Sequence, residues 1–311
     1  MTTKGAGAVV VENLEKRFGA TPALRGVSFT VERAELFGFI GPDGAGKTTL
    51  FRILTTLMIP DGGRARVLGA DVVAGLWALR PRIGYMPGRF SLYPDLTVAE
   101  NLRFFASVFG TTIERERAQI APIYSQLEPF ADRRAAALSG GMKQKLALCC
   151  ALVHRPEILF LDEPTTGVDA VSRREFWDLL GVLKAGGLTT VVSTPYMDEA
   201  TRCDRIALIH RGTLVGVDTP AGITGAFGRP LLGVRAKDRY KALLALRTYE
   251  HAGSVYPFGD VMHYTDARLD APVDRITSDV KAFLDAKGFA DASVARLTPT
   301  VEDSFIARTA S

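Results

Sequence analysis

The segment GPDGAGKT at residues 41–48 constrains this chain more than any other stretch. LFGFI (36–40) runs straight into it and reads as a strand. KTTLFRILTTLM, which leaves it, carries apolar residues at helical spacing. A glycine-rich turn between strand and helix lets backbone N–H groups converge on an anion, and the helix N-terminus adds its positive end. The spacing G-x-x-x-x-G-K-T is that of a phosphate cradle. Gly41, Gly44 and Gly46 allow the tight wrap, and Lys47 supplies a mobile charge for phosphate oxygens. Thr48 offers a hydroxyl to Mg2+. Pro42, Asp43, Ala45 and Thr49 complete the segment 41–49 expected to line the phosphates.

The same β/α alternation continues downstream. Strand signals dominate 9–40 and return in RARVLG. Residues 97–153 read as mostly helical, and EILFLD (157–162), a helix over 171–185, TTVVS (189–193) and RIALIH (205–210) follow. That order predicts a largely parallel sheet interrupted by a helical insertion. Beyond about residue 225 the motifs stop. LLGVRA, DRYKALLALRTY, SVYPF, VMHYT, PVDRITSDVKAFLDAKG and ASVARL read β-α-β-β-α-β, the ferredoxin-like order. The expected division is 1–225 and 226–311, with the helical part at about 92–153. From Gly225 onward 12 Lys/Arg balance 11 Asp/Glu, so this tail offers nucleic acid no basic face. A regulatory or dimer-supporting role suits it, with a plain stabilising cap as the alternative.

ILFLDE (158–163) is a partner for the cradle: an apolar strand that delivers Asp162 to a metal and Glu163 to an attacking water. LSGGMKQKL (138–146) opens another helix with Ser139, Gly140 and Gly141, a second N-terminus suited to an anion. The net charge of +4, with no run of five basic residues, gives no support for nucleic-acid binding. Cys149, Cys150 and Cys203 make neither a disulfide framework nor a zinc site. Glu12 interrupts the first apolar stretch too early for a signal peptide, and no apolar run approaches the ~20 residues of a membrane span.

With TTGVD (165–169) added, the set resembles the ATP-binding cassette (ABC) ATPases over roughly residues 8–225. GPDGAGKTTL, GYMPxxFxLYxDLTVxENL, LSGGMKQKL and VEDSFIA look most like the ABC-2-type exporter branch, and especially the first cassette of tandem-cassette efflux proteins. The resemblance implies a P-loop NTPase: a RecA-like α/β sheet with an antiparallel β part and a helical subdomain, here followed by the ferredoxin-like α+β domain. It implies ATP and Mg2+ as ligands, a polytopic membrane permease as partner, and a peripheral place on the cytoplasmic face of the membrane. Two cassettes would pack head to tail, with Lys47, Thr48, Asp162 and Glu163 of one facing Ser139, Gly140 and Gly141 of the other. Asp169 would sit at the junction. Phe18 matches the aromatic that stacks on adenine, with an ordinary core phenylalanine as the alternative. No guanine-reading N/T-K-x-D follows.

Two positions depart from the family pattern. Glutamine is expected where Gly88 stands in IGYMPGRF, and histidine where Pro195 stands in STPYMDEA. Both would act on the γ-phosphate face, so the expectation is an ATP-binding cassette whose own-site hydrolysis is slow. A non-catalytic cassette that lends its signature segment to a competent partner, and a soluble ABC ATPase outside transport, stand as alternatives.

Overall fold

The computed structural model describes residues 7–89 and 91–309. The first six residues, part of the stretch read above against a signal peptide, lie outside them, as does Phe90 of the GYMPGRF segment.

The chain begins with the antiparallel pair β1 (Val9–Phe18) and β2 (Thr21–Val31), then β3 (Leu36–Ile40), the cradle turn and α1 (Lys47–Leu54). β4 (Gly62–Val67) and β5 (Ala70–Asp71) return to the first sheet, of order β2-β1-β4-β5. After α2 (Leu76–Leu79) and β6 (Ile83–Met86) come α3 (Val98–Val108), α4 (Ile113–Tyr124) and α5 (Gly140–Leu152). β7 (Ile158–Asp162), α6 (Ala170–Ala185), β8 (Thr189–Thr194), a 3-10 turn at Met197–Arg202, β9 (Arg205–His210) and β10 (Thr213–Asp218) complete a second sheet. Its order is β10-β9-β3-β8-β7-β6. β9, β3, β8, β7 and β6 run parallel, and β10 closes the edge antiparallel.

Every residue of β3, β7 and β8 is buried, as a parallel sheet covered on both faces requires. Phe51 of α1 meets Phe39 of β3 and Phe160 of β7 edge-on, with ring centroids 6.0 and 5.9 Å apart. These rings seat α1 on β3 and β7. In the helical segment, Thr97 and Glu100 form a reciprocal capping box that starts α3. Buried Asn101 ties down the preceding loop, donating to the carbonyls of Tyr93, Leu96 and Thr97 and accepting from Tyr93 N.

The sequence pattern missed β10. Its residues are half-exposed, so no apolar alternation marks it. The available signal was Arg211-Gly212, both with positive φ, forming the two-residue turn of a hairpin in which His210 pairs Thr213.

The chain separates into two compact units between Ala221 and Gly222, within α7 (Pro220–Gly225). The second unit contains β11 (Leu231–Arg235), α8 (Arg239–Arg247), β12 (Ala252–Phe258), β13 (Val261–Asp266), α9 (Val273–Ala286), β14 (Ser293–Leu297) and α10 (Val301–Thr309). Its antiparallel sheet has the order β12-β13-β11-β14, matching the β-α-β-β-α-β reading. Leu232, Leu246, Tyr264, Val280 and Leu284 belong to its own core. α10 is fastened by Asp303, which accepts hydrogen bonds from Tyr256 Oη (2.5 Å), His263 Nδ1 (2.6 Å), and Thr300 N and Oγ1 (both 2.7 Å). Burial pushes the Asp303 carboxyl up, but the bonds from Tyr256, Thr300 and His263 outweigh it and hold the carboxyl below its ordinary value. No helix among the described residues is long and apolar enough to cross a membrane. All three cysteines are buried thiols.

Candidate functional site

The cradle is held from below. A Cβ at Gly41 would stand 2.2 Å from the Ile209 carbonyl oxygen, and one at Gly46 2.5 Å from that of Ala23. Gly46 also has a φ of 106°, so no L side chain fits there on either count. Gly212 N donates to Ala45 O at 2.9 Å, pinning the turn to the β9–β10 hairpin. Pro42, Asp43, Gly44 and Thr48 face solvent, Ala45 is buried, and Thr49 is half-buried in the first turn of α1. The Lys47 side chain is only 2% exposed. Its Nζ donates to Gly41 O (2.8 Å) and Pro42 O (3.0 Å) and pairs with Glu163 Oε1 at 3.0 Å.

Asp162 ends β7, where its Oδ1 accepts a 2.6 Å hydrogen bond from Ser193 Oγ of β8. Glu163 follows with a φ of 51°, a left-handed conformation costing a non-glycine residue on the order of 1–3 kcal/mol. Its N–H is held by Ser193 O and Oγ, both at 3.0 Å, so the kink is fixed by β8. Ser193 was not singled out from the sequence, where it reads as one more strand residue. Tyr85 of β6 lies in the same field. Burial and then the Asp162 charge push its phenol up to about 12.

Ser139 caps α5, its Oγ accepting from Met142 N at 3.3 Å. Ser139 and Gly140 are exposed and Gly141 is buried. A Cβ on Gly141 would meet Ser172 Oγ of α6 at 2.5 Å, so glycine permits the close approach of the two helices. Asp169 caps α6 by accepting from Val171 N (3.1 Å) and Ser172 N (3.0 Å), and those bonds, that of Ser172 foremost, lower its carboxyl. The neighbours of the α5 N-terminus are thus the segment 167–172 of the same chain. Phe18, at the end of β1, is 51% exposed, which removes the core alternative. Gly88 lies beside the acidic pair: a Cβ there would be 2.9 Å from Asp162 O and 3.7 Å from Glu163 Cβ. Pro195 follows Thr194, whose carbonyl accepts from Gly41 N at 3.3 Å.

A mostly apolar cavity of about 590 Å³ lies between the α2 region and helices α3 and α5. Trp77 (77% exposed), Leu57 (58%), Val108 (61%) and Phe109 (39%) are among its walls.

A family model described as ABC transporter matches residues 24–166. The daunorubicin resistance ATP-binding protein DrrA2 of Streptomyces coeruleorubidus is 35% identical over 306 residues, covering 96% of this chain and 94% of that relative. The chain belongs to the ABC transporter ATP-binding family. A probable multidrug ABC transporter ATP-binding protein, YbhF of Escherichia coli (strain K12), is 45% identical over 223 residues, 70% of this chain. The chain spans only 38% of that relative's length. Among solved structures, cbiO1 of Clostridium perfringens aligns with a TM-score of 0.64 and 25% identity over 71% of this chain and 91% of its own. The dimeric bacterial ABC transporter cassette MJ0796 aligns at 0.62 and 26%, over 68% and 98%.

In this ABC cassette the Thr48 hydroxyl, exposed in the first turn of α1, and the Asp162 carboxylate, at the end of β7, would be the protein's donors to Mg2+. Among the described residues no group of three or more His, Cys, Asp or Glu could hold a metal. A hydroxyl and one carboxylate fit an ion that keeps its waters and takes its remaining ligands from nucleotide phosphates. Bound there, Mg2+ would neutralise charge developing on the phosphates.

Proposed function

We propose that this ABC cassette is the ATP-binding, energy-coupling subunit of an exporter. It binds ATP with Mg2+ and pairs head to tail with a second cassette, driving a polytopic permease from the cytoplasmic face of the membrane. Lys47 and backbone N–H groups within residues 41–49 hold the phosphates, Thr48 and Asp162 hold the metal, and Glu163 polarises the attacking water. Phe18 stacks on adenine. Ser139, Gly140, Gly141 and Asp169 complete the partner's site. The observation that carries this reading is the buried Lys47 ammonium, held between two cradle carbonyls and Glu163 at the mouth of a strand–turn–helix. The apolar cavity beside α2 supports the permease, since exposed apolar walls of this extent suit a docked segment. Residues 1–225 make the cassette, about 92–153 its helical part, and 226–311 an accessory domain. Near-full-length similarity to DrrA2 supports an export role that includes this domain.

Hydrolysis in the cassette's own site is slow. Position 88 borders both acidic residues yet offers no side chain, and Pro195 offers neither donor nor base. Each missing orienting group is worth about 10²–10⁴-fold. Steady-state turnover of Gly88→Gln/Pro195→His should therefore exceed that of the natural chain by at least about tenfold. Gly88→Gln alone should gain less than the pair, because both side chains would act on one water and one phosphate; in either Gln variant the Cβ has to shift the Asp162 carbonyl, 2.9 Å away. Equal turnover in the natural chain and the double variant would show the site to be competent as it stands. Turnover that stays absent with the permease present would favour the reading as a non-catalytic partner cassette.

A further inference from the structure

Glu199 is an acid with 3% exposure in the 3-10 turn after β8, and none of the chemistry above uses it. A buried carboxylate costs several kcal/mol unless its lone pairs are satisfied. This one is held by two hydroxyls from different segments. Thr165 Oγ1 donates to Oε1 at 2.8 Å, and Thr194 Oγ1 donates to Oε2 at 2.5 Å. Arg173 Nε of α6 lies 3.9 Å from Oε1, with its guanidinium 4.8 Å from the centroid of the Tyr196 ring.

Two of the segments so joined, those of Thr194 and Thr165, border the phosphate site. Thr194 ends β8, and its carbonyl accepts the N–H of Gly41, the first cradle residue. Its hydroxyl also accepts from Tyr196 N at 3.0 Å, which closes the chain around Pro195. Thr165 stands two residues after Glu163, inside consecutive turns closed by Thr166 N to Glu163 O and Val168 N to Thr165 O. Asp169, the cap of α6, follows directly on those turns. A displacement of the β8 end therefore reaches Thr165 and the turns after it through one carboxylate, in addition to the direct Ser193–Glu163 bonds, even though the Pro195 ring has no polar atom with which to touch a phosphate.

We propose that Glu199 is a positioning residue: by locking Thr194 to Thr165 it transmits phosphate occupancy of the cradle to the segment 163–169, and so sets Glu163 and Asp169 for reaction. The proposal rests on the reading of 41–49 as the ATP site. A carboxylate can accept from both hydroxyls at once. An amide in its place accepts from one hydroxyl and must donate to the other, so Glu199→Gln preserves shape while removing the charge and reversing one arm of the fork. Thr165→Val and Thr194→Val each remove one arm with no change of charge and little change of shape, and Thr194→Val also removes the acceptor of Tyr196 N.

The test uses the full chain and Mg·ATP. Nucleotide affinity, hydrogen exchange of 163–172 with and without Mg·ATP, and steady-state kinetics are measured for the three variants and for Thr165→Val/Thr194→Val. Expected are unchanged affinity and KM, loss of the ATP-induced slowing of exchange in 163–172, and kcat lowered about tenfold. The paired Thr variant should be no worse than about twice the stronger single one, because both arms meet on one carboxylate. A merely structural Glu199 would change thermal stability and leave ATP-induced protection in place. Full protection in the variants, or arm effects that multiply, would overturn the proposal. If Glu199→Gln does not fold, the two Thr variants decide alone. Failure of the natural chain to bind ATP, or binding undiminished by Lys47→Ala, would instead overturn the ATP-site reading on which the proposal stands.

Discussion

Lys47 is an ammonium almost sealed from water, with two carbonyls and a carboxylate as its neighbours. Phosphate oxygens would compete with Glu163 for it. Lys47→Ala removes a charge-assisted contact and leaves Glu163 without its cation. ATP affinity should fall by about 10–100-fold, the worth of such a bond in a partly dry site, and calorimetric titration with Mg·ATP measures it. Affinity equal to the natural chain's would remove the cradle assignment. Lys47, Asp162 and Glu163 were legible in the sequence because each belongs to a local motif with a fixed neighbour. Ser193 and Glu199 were not, since their partners lie on other segments. An acid inside MDEA reads as a solvated helix face until the fold buries it.

The approach of α5 to α6 belongs to the scale of elements. With Gly141 Cβ space already filled by Ser172 Oγ and Cβ at 2.5 and 2.6 Å, Gly141→Ala should push the α5 N-terminus away from α6. Thermal stability and ATP-dependent dimer formation should both drop, and Ser172→Gly added to Gly141→Ala should restore them. Size-exclusion chromatography with Mg·ATP and melting curves read the outcome, and a failed rescue would place the constraint elsewhere. α10 offers a pH test. The Asp303 carboxyl is lowered in the folded chain, so its stabilising contribution is complete above the ordinary aspartate value of 3.8 and is lost as pH falls through the lower folded value. The gap in melting temperature between the natural chain and Asp303→Asn should therefore narrow below pH 3.8, with hydrogen exchange of 301–309 rising in the natural chain. A gap constant with pH would mean that the ionised carboxylate does not hold α10. Elements were legible where one physical signal dominates, as in apolar β3, the apolar run of β7 that leads to Asp162, or periodic α1. They were hidden where an edge strand such as β10 is half-wet.

At the scale of the molecule, each of the two units contains a core cluster of its own among the described residues. The first gathers Phe29, Phe37, Phe39, Phe51 and Phe160, and the second lies within residues 232–294. A fragment ending at Gly225 should therefore bind Mg·ATP within about twofold of the full chain, since the cradle's supports are all in the first unit. Equilibrium dialysis of the two proteins checks this, and a fragment that folds but does not bind would make the second unit part of the nucleotide site. The strand order carries a further consequence for biosynthesis. Leu36 of β3 pairs with Thr190 of β8 and Phe37 with Arg205 of β9, so neither flank of β3 exists when it leaves the ribosome. About 150 residues must be translated first, which takes roughly ten to thirty seconds at cellular rates. Through that interval LFGFI can pack its rings on Phe29 and Phe51 but keeps both hydrogen-bonding edges open, so the nascent cassette should be prone to edge association until β8 and β9 emerge.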